Sequence, residues 1–131
     1  MNNEANEAIV TKRNVLVVDD DPAIQEMLCE IIQQEGCNAV SVGSGEEAIK
    51  QVESQHFDLI FLDLVLPGIS GVDTLSAIKE KDDKVVVITI TAYGYTIWAK
   101  QAMALGSMFL IHKPFQAHDI VEILDTVNFG R

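Results

Sequence analysis

A chain of 131 residues, 48% of them hydrophobic, holds the material of one domain and can bury a core without disulfide or metal staples. Its 20 acidic against 9 basic residues leave a net charge of -11 and a pI near 4.4, which excludes unaided binding to nucleic acid or an anionic membrane because either surface would repel the domain. No apolar run approaches the roughly 20 residues that a spanning helix needs, and the acidic start lacks the basic and apolar regions of a signal peptide, so the chain is expected to be cytoplasmic.

Residues 1–13 are polar, with little apolar periodicity, and read as a flexible tail. Asn14 to Val18 is a compact apolar run ending in Asp19, Asp20 and Asp21, hence a first strand with a loaded carboxyl end. Asp21 and Pro22 form an N-cap and N1 pair, and Ile24, Met27, Leu28, Ile31 and Ile32 follow at helical spacing up to Gly36. Cys29 and Cys37 sit in no metal-ligand spacing and are expected to be buried or inert thiols. Asn38 to Val42, bounded by Gly36 and Gly43, reads as a second strand. Ser44 with Glu47 then predicts a capping box for a helix whose inward face is Ala48, Ile49 and Val52. Gly43-Ser44-Gly45 lacks the following Lys-Ser/Thr of a phosphate loop and is read as a turn and cap.

Leu59 to Leu62 is a buried-strand run interrupted by Asp63 and closed by Pro67 and Gly68. An ionised, unpaired carboxylate in such company costs several kcal/mol, so it needs a metal, a cation, hydrogen bonds or covalent modification. Ser70 can cap a third helix carrying Val72, Leu75 and Ile78. Val85 to Ile90 reads as a strand covered on both faces and leads to Thr91. Ile97, Trp98, Ala102 and Met103 belong to a fourth helix ending at Gly106; Ile97, Trp98 and Tyr95 are read first as core and second as a partner surface. Met108 to Ile111 gives a fifth strand before His112, Lys113 and Pro114. Asp119 to Val127, with Ile120, Leu124 and Val127 on one face, closes the chain as a fifth helix, and residues 128–131 read as an end or the start of a linker. His56, His112 and His118 are scattered and are not expected to hold a metal.

Strict strand and helix alternation with short connections demands an α/β fold with a parallel sheet, right-handed crossovers and helices on both faces. At this length the open doubly wound sheet fits and an eight-unit barrel does not. Ligands of such sheets bind outside the carboxyl ends of the strands, where Asp19, Asp20, Asp63, Thr91 and Lys113 fall. Three close carboxylates repel, and a hard divalent cation such as Mg²⁺ relieves them. A carboxylate beside Mg²⁺, an ammonium and a hydroxyl suits the carriage of a phosphoryl group on Asp63.

With Val17-Val18-Asp19-Asp20, Leu62-Asp63, Pro67-Gly68, Gly71, Thr91-Ala92 and Lys113-Pro114-Phe115, the chain resembles the receiver domains of bacterial two-component response regulators over roughly Asn14 to Val127. The resemblance implies a flavodoxin-like (βα)5 sheet of order 2-1-3-4-5, with residues 14–127 as the receiver domain. It implies that Asp63 accepts phosphate from a histidine kinase's phosphohistidine, or from a phosphotransfer protein, making the chain a signalling phosphoacceptor rather than a turnover enzyme. It also implies Mg²⁺ held by Asp20, Asp63, the Val65 carbonyl and, through water, Asp19, with Thr91 and Lys113 on phosphoryl oxygens and a cis Lys113-Pro114 bond. Switching would then be read out on the face of helix four, strand five and helix five, by an output domain, a target protein or a second copy.

The chain departs from the family pattern in two respects. Leu110 stands where receivers place the Tyr or Phe that swings inward, with Phe109 one residue early; Val65 and Tyr93 stand at the two positions that in receivers flank the attacking water's route, and this bulky, non-acidic pair is expected to slow hydrolysis of the phosphoaspartate. The rival readings are a phosphorylation-independent docking module, kept open by Leu110; a small aspartyl-phosphate phosphohydrolase; and a flavin or nucleotide module. The phosphohydrolase is disfavoured because Asp63 is followed by Leu64 and Val65 rather than by Asp-x-Asp. The flavin or nucleotide module is disfavoured because no phosphate loop follows the first strand.

Overall fold

A computed structural model describes residues 12–92 and 97–127. The elements alternate as β1 (Asn14–Val18), α1 (Pro22–Gln34), β2 (Asn38–Val42), α2 (Gly45–Ser54), β3 (Leu59–Asp63), α3 (Gly71–Lys81), β4 (Val86–Thr91), α4 (Ile97–Ala104), β5 (Phe109–His112) and α5 (Ala117–Thr126). All neighbouring strands pair in parallel, in the order β2-β1-β3-β4-β5.

Side-chain alternation along the strands divides the core in two. Val15, Val17, Leu59, Phe61, Ile88 and Ile90 face Leu28 and Ile32 of α1 and Ile120 and Leu124 of α5. Leu16, Val18, Ile60, Leu62 and Val87 face Ala48 of α2, Leu75 and Ile78 of α3 and Ala102 of α4. Every residue of β3 is buried, so its run is apolar on both faces. At about 1.5–3 kcal/mol for each fully buried large aliphatic side chain, these two layers dominate the stability of the fold.

The helix starts follow local hydrogen bonding. Asp21 Oδ1 accepts the Ala23 N–H at 2.9 Å ahead of Pro22, and Ser70 Oγ accepts the Asp73 N–H at 3.0 Å. At α2 the expected capping box forms by half: Ser44 Oγ accepts the Glu47 N–H at 3.2 Å, but Glu47 Oε1 accepts from Gly43 rather than from Ser44. The fifth helix begins at Ala117, ahead of the expected Asp119, because the Asp119 carboxylate reaches back to the Gln116 N–H at 2.9 Å and opens the helix there.

The reading of Ile97 and Trp98 as core is corrected: they are 68% and 48% exposed. The inward face of α4 is made by Ala99 and Ala102, whose small side chains bring the helix onto the sheet and turn its large residues outward. Tyr93 and Tyr95 lie outside the described residues, as do residues 1–11 and 128–131. Cys29 and Cys37 are free and partly buried, and burial pushes both thiols up from their ordinary range.

Candidate functional site

The winding of the sheet reverses at β1, which pairs with β2 on one side and β3 on the other. The carboxyl ends of β1 and β3 therefore open a crevice with no helix crossing it, the usual ligand position in such sheets. Asp19 and Asp20 leave β1 at that point, and Asp63 is the last residue of β3.

Asp19 is fully buried and Asp63 is 3% exposed, whereas Asp20 faces solvent. One carboxylate oxygen from each of the three can be chosen so that all lie within 4.8 Å of one another. Asp19 Oδ1 accepts the Asp21 N–H at 2.9 Å, and Asp63 Oδ1 accepts the Val65 N–H at 2.9 Å, so each loop orients its own carboxylate. The remaining oxygens point to Lys113: its Nζ donates to Asp63 Oδ2 at 2.8 Å and lies 3.0 Å from Asp19 Oδ2. The contact with Asp19 is an ion pair without hydrogen-bond alignment, and this buried oxygen accepts no hydrogen bond.

Burial raises the Asp63 carboxyl above its ordinary range; the Lys113 and Val65 hydrogen bonds oppose the rise and the Asp19 charge adds to it. Burial pulls Lys113 down, but its hydrogen bond to Asp63 and its charge pairing with Asp63 and Asp19 outweigh it, and the ammonium is held above its ordinary range. One ammonium cannot neutralise three carboxylates. A buried acceptor without a hydrogen bond beside two further carboxylates suits a divalent cation with oxygen ligands, so the residues present fit Mg²⁺.

Thr91 ends β4, 1% exposed, and its carbonyl accepts the Lys113 N–H at 2.9 Å, tying the ends of β4 and β5 together beside the crevice. The Lys113-Pro114 peptide bond is cis. Val65 is 40% exposed on the loop between β3 and α3. That loop is held close by Gly71, where a Cβ would stand 2.6 Å from the Asp63 carbonyl oxygen. Asp19, Asp20, Asp63, Val65, Thr91 and Lys113 thus come to one end of the sheet, as expected.

Sequence reasoning missed the braces behind them. The Gln25 amide on α1 donates to the carbonyls of Asp19 and Val42, fixing the turn after β1, and the Glu46 carboxylate on α2 accepts the Ile69 N–H at 3.2 Å. A solvated helix face carries such residues routinely, and nothing in their spacing marks them.

Residues 15–125 match the family described as the response regulator receiver domain. Sporulation initiation phosphotransferase F of Bacillus subtilis is 34% identical over 113 residues, which is 86% of this chain and 89% of that protein. The DNA-binding response regulator MtrA of Mycolicibacterium smegmatis is 33% identical over 110 residues, 84% of this chain; the chain spans about half of that relative, 48% of its length. Among solved structures, the receiver domain of a LuxO repressor protein from Vibrio parahaemolyticus superposes with a TM-score of 0.81 at 29% identity, covering 88% of each chain. A CheY-like receiver from Methanospirillum hungatei gives 0.85 at 24% identity, covering 88% of this chain and 92% of its own, a likeness of fold. Family match, relatives and fold agree: the chain belongs to the receiver domains of two-component response regulators.

Proposed function

We propose that this chain carries a signal as a phosphoryl group on Asp63, received from the phosphohistidine of a sensor histidine kinase or of a phosphotransfer protein. The observation that carries the reading is the Lys113 ammonium bonded to Asp63 and paired with Asp19 where three carboxylates converge. Residues 14–127 form the signalling unit, and it works in the cytoplasm; no helix among the described residues is long and apolar enough to cross a membrane.

In the transfer, a carboxylate oxygen of Asp63 attacks phosphorus, a P–O bond forms, the P–N bond breaks and its electron pair returns to the imidazole. The Val65 N–H holds the other Asp63 oxygen, which keeps the carboxylate from rotating. Lys113 shifts from the carboxylate to the incoming phosphoryl oxygens, and the Thr91 hydroxyl donates to another. Asp20, Asp63 and the Val65 carbonyl would hold Mg²⁺, with Asp19 acting through water; bound there, the ion supplies positive charge for the phosphoryl oxygens in flight. The product stays on the protein, so the domain assists only its own phosphorylation and dephosphorylation.

The readout surface is the face of α4, β5 and α5. From Lys84 to His118 the chain has no Asp or Glu, although the whole carries 20. Ile97, Trp98, Met103, Leu105, Met108 and Phe109 all lie exposed within that stretch, which favours docking of a target, an output domain or a second copy.

The test is intact mass after incubation with acetyl phosphate and Mg²⁺: one phosphoryl group is added to the wild type and none to Asp63→Asn. Absence of the adduct from both overturns the reading. One observation favours a second reading, docking without phosphate: Leu110 lies half-buried beside Ala99, Lys100, Met103 and His112 and offers no ring to swing. Equal target affinity of the phosphorylated and unmodified chains would select it.

A further inference from the structure

The first turn of α2 is seated against the loop between β3 and α3. A Cβ on Gly45 would strike the Thr74 hydroxyl and stand 2.7 Å from Ile69 Cγ1, so the helix comes this close only because Gly45 has no side chain. One residue on, Glu46 Oε2 accepts the Ile69 N–H at 3.2 Å. The same carboxylate lies against Gly68, where a Cβ would be 2.7 and 2.9 Å from its two oxygens and where the backbone has φ +76°. Glu46 stands in the first turn of α2, where the helix dipole favours a negative charge.

The loop is pinned at its other end as well. The Leu64 N–H donates to the Ile90 carbonyl at 2.9 Å, and the Leu64 carbonyl accepts the Gly71 N–H at 3.1 Å. Between the two pins stands Val65, whose N–H holds Asp63 Oδ1 and whose carbonyl belongs to the proposed ligand set. The pin at Leu64 is backbone pairing that most sequences could make. The pin at Gly68 and Ile69 depends on one side chain from another element.

We propose that Glu46 is a positioning residue of the cation site: by holding Gly68 and Ile69 against α2 it keeps Val65 and Asp63 in the arrangement that accepts a divalent ion. The inference rests on the reading of Asp63 as a Mg²⁺-dependent phosphoacceptor. Glu46 bonds to Ile69, and not to the carboxylate cluster or to Lys113, so its effect runs through the loop. Because it is exposed, its replacement leaves the fold standing.

The test is calorimetric titration of Mg²⁺ into the full chain as wild type, Glu46→Ala and Glu46→Gln, at low salt and in about 1 M salt, where the screening length is ~3 Å. Glu46→Ala is expected to weaken Mg²⁺ binding by on the order of tenfold, as loss of an outer-sphere partner does. Glu46→Gln, whose amide oxygen still accepts from Ile69, should stay within about twofold of wild type, and the Ala deficit should persist in high salt. Amide exchange at Ile69 should quicken in Glu46→Ala and recover in Glu46→Gln. Equal affinity in wild type and Glu46→Ala overturns the inference. So does a Gln variant as weak as Ala with both deficits lost in salt, since that marks a through-space charge effect. If the wild type itself binds no Mg²⁺, the phosphoacceptor reading fails first; if it binds and Glu46→Ala binds equally, only the role of Glu46 falls.

Discussion

The ammonium of Lys113 donates to Asp63 Oδ2 at 2.8 Å across a separation of 50 residues, and the same nitrogen lies 3.0 Å from Oδ2 of Asp19. Lys113 is 24% exposed in its side chain, while the two carboxylates are 5% and 0% exposed, so the pairing is formed largely out of water. Removing the cation leaves two buried anions facing each other, which costs more than the pair itself contributed.

Lys113→Ala should therefore lower the urea-unfolding free energy at neutral pH by about 2 kcal/mol without Mg²⁺, below the range for fully buried pairs because Lys113 is partly solvated. The deficit should shrink as pH falls. The Asp63 carboxyl is raised above 3.8 in the folded state, so the fold takes up a proton there before the unfolded chain does, and the cost of its buried charge is relieved on acidification. A deficit that grows toward low pH would contradict this account.

Mg²⁺ should stabilise the wild type by about 1.4 kcal/mol at ten times its dissociation constant, by mass action on the folded state. Asp20→Asn should abolish most of that gain and, because it removes one of three mutually repelling carboxylates, should raise rather than lower metal-free stability. Thermal melts with and without Mg²⁺ measure both effects.

Gly71→Ala should cost about 2–4 kcal/mol, since its Cβ would stand 2.6 Å from the Asp63 carbonyl oxygen and backbone cannot yield as a side-chain tip can. The strain falls on the residues that aim Asp63, so phosphorylation by acetyl phosphate should slow in the same variant. A stable variant with full phosphorylation would show that the loop after β3 has room to shift.

Burial raises both thiols, at Cys29 against a hydrogen bond with Ser41 and at Cys37 against nearby Arg13. Alkylation by iodoacetamide at neutral pH should run several-fold slower than for a free thiol and should go on gaining speed with rising pH after a free thiol has levelled off. Mass spectrometry over a pH series reads this directly.

Trp98 is the chain's single tryptophan and is 48% exposed at the start of α4. Its fluorescence should be open to acrylamide quenching in the unmodified domain, and a change in that quenching on phosphorylation would report a response of the α4 surface. Unchanged quenching, together with a phosphoryl adduct on Asp63, would mean that the message leaves the site by another route.

The alternation of apolar strands with helical stripes was legible in the chain because an inner strand of a covered parallel sheet must be apolar on both faces, as Leu59 to Leu62 are. Asp63 was legible for the same reason: a carboxylate at the end of such a run is locally out of place. Asp19, Asp20, Thr91 and Lys113 could be assigned to one end of the sheet from topology alone, since parallel strands all finish on the same side. Tertiary structure decided what periodicity does not encode. It turned Ile97 and Trp98 outward, because two alanines one turn apart in space set the inner face of α4 and an apolar residue count does not say which side meets the sheet. It brought the Lys113 nitrogen to Asp63 and Asp19, and it set Glu46 on Ile69 and Gln25 on Asp19. Those contacts depend on where one element ends relative to another, to within an ångström or so, and a single side chain on a solvated helix face carries no local sign of the loop it will meet.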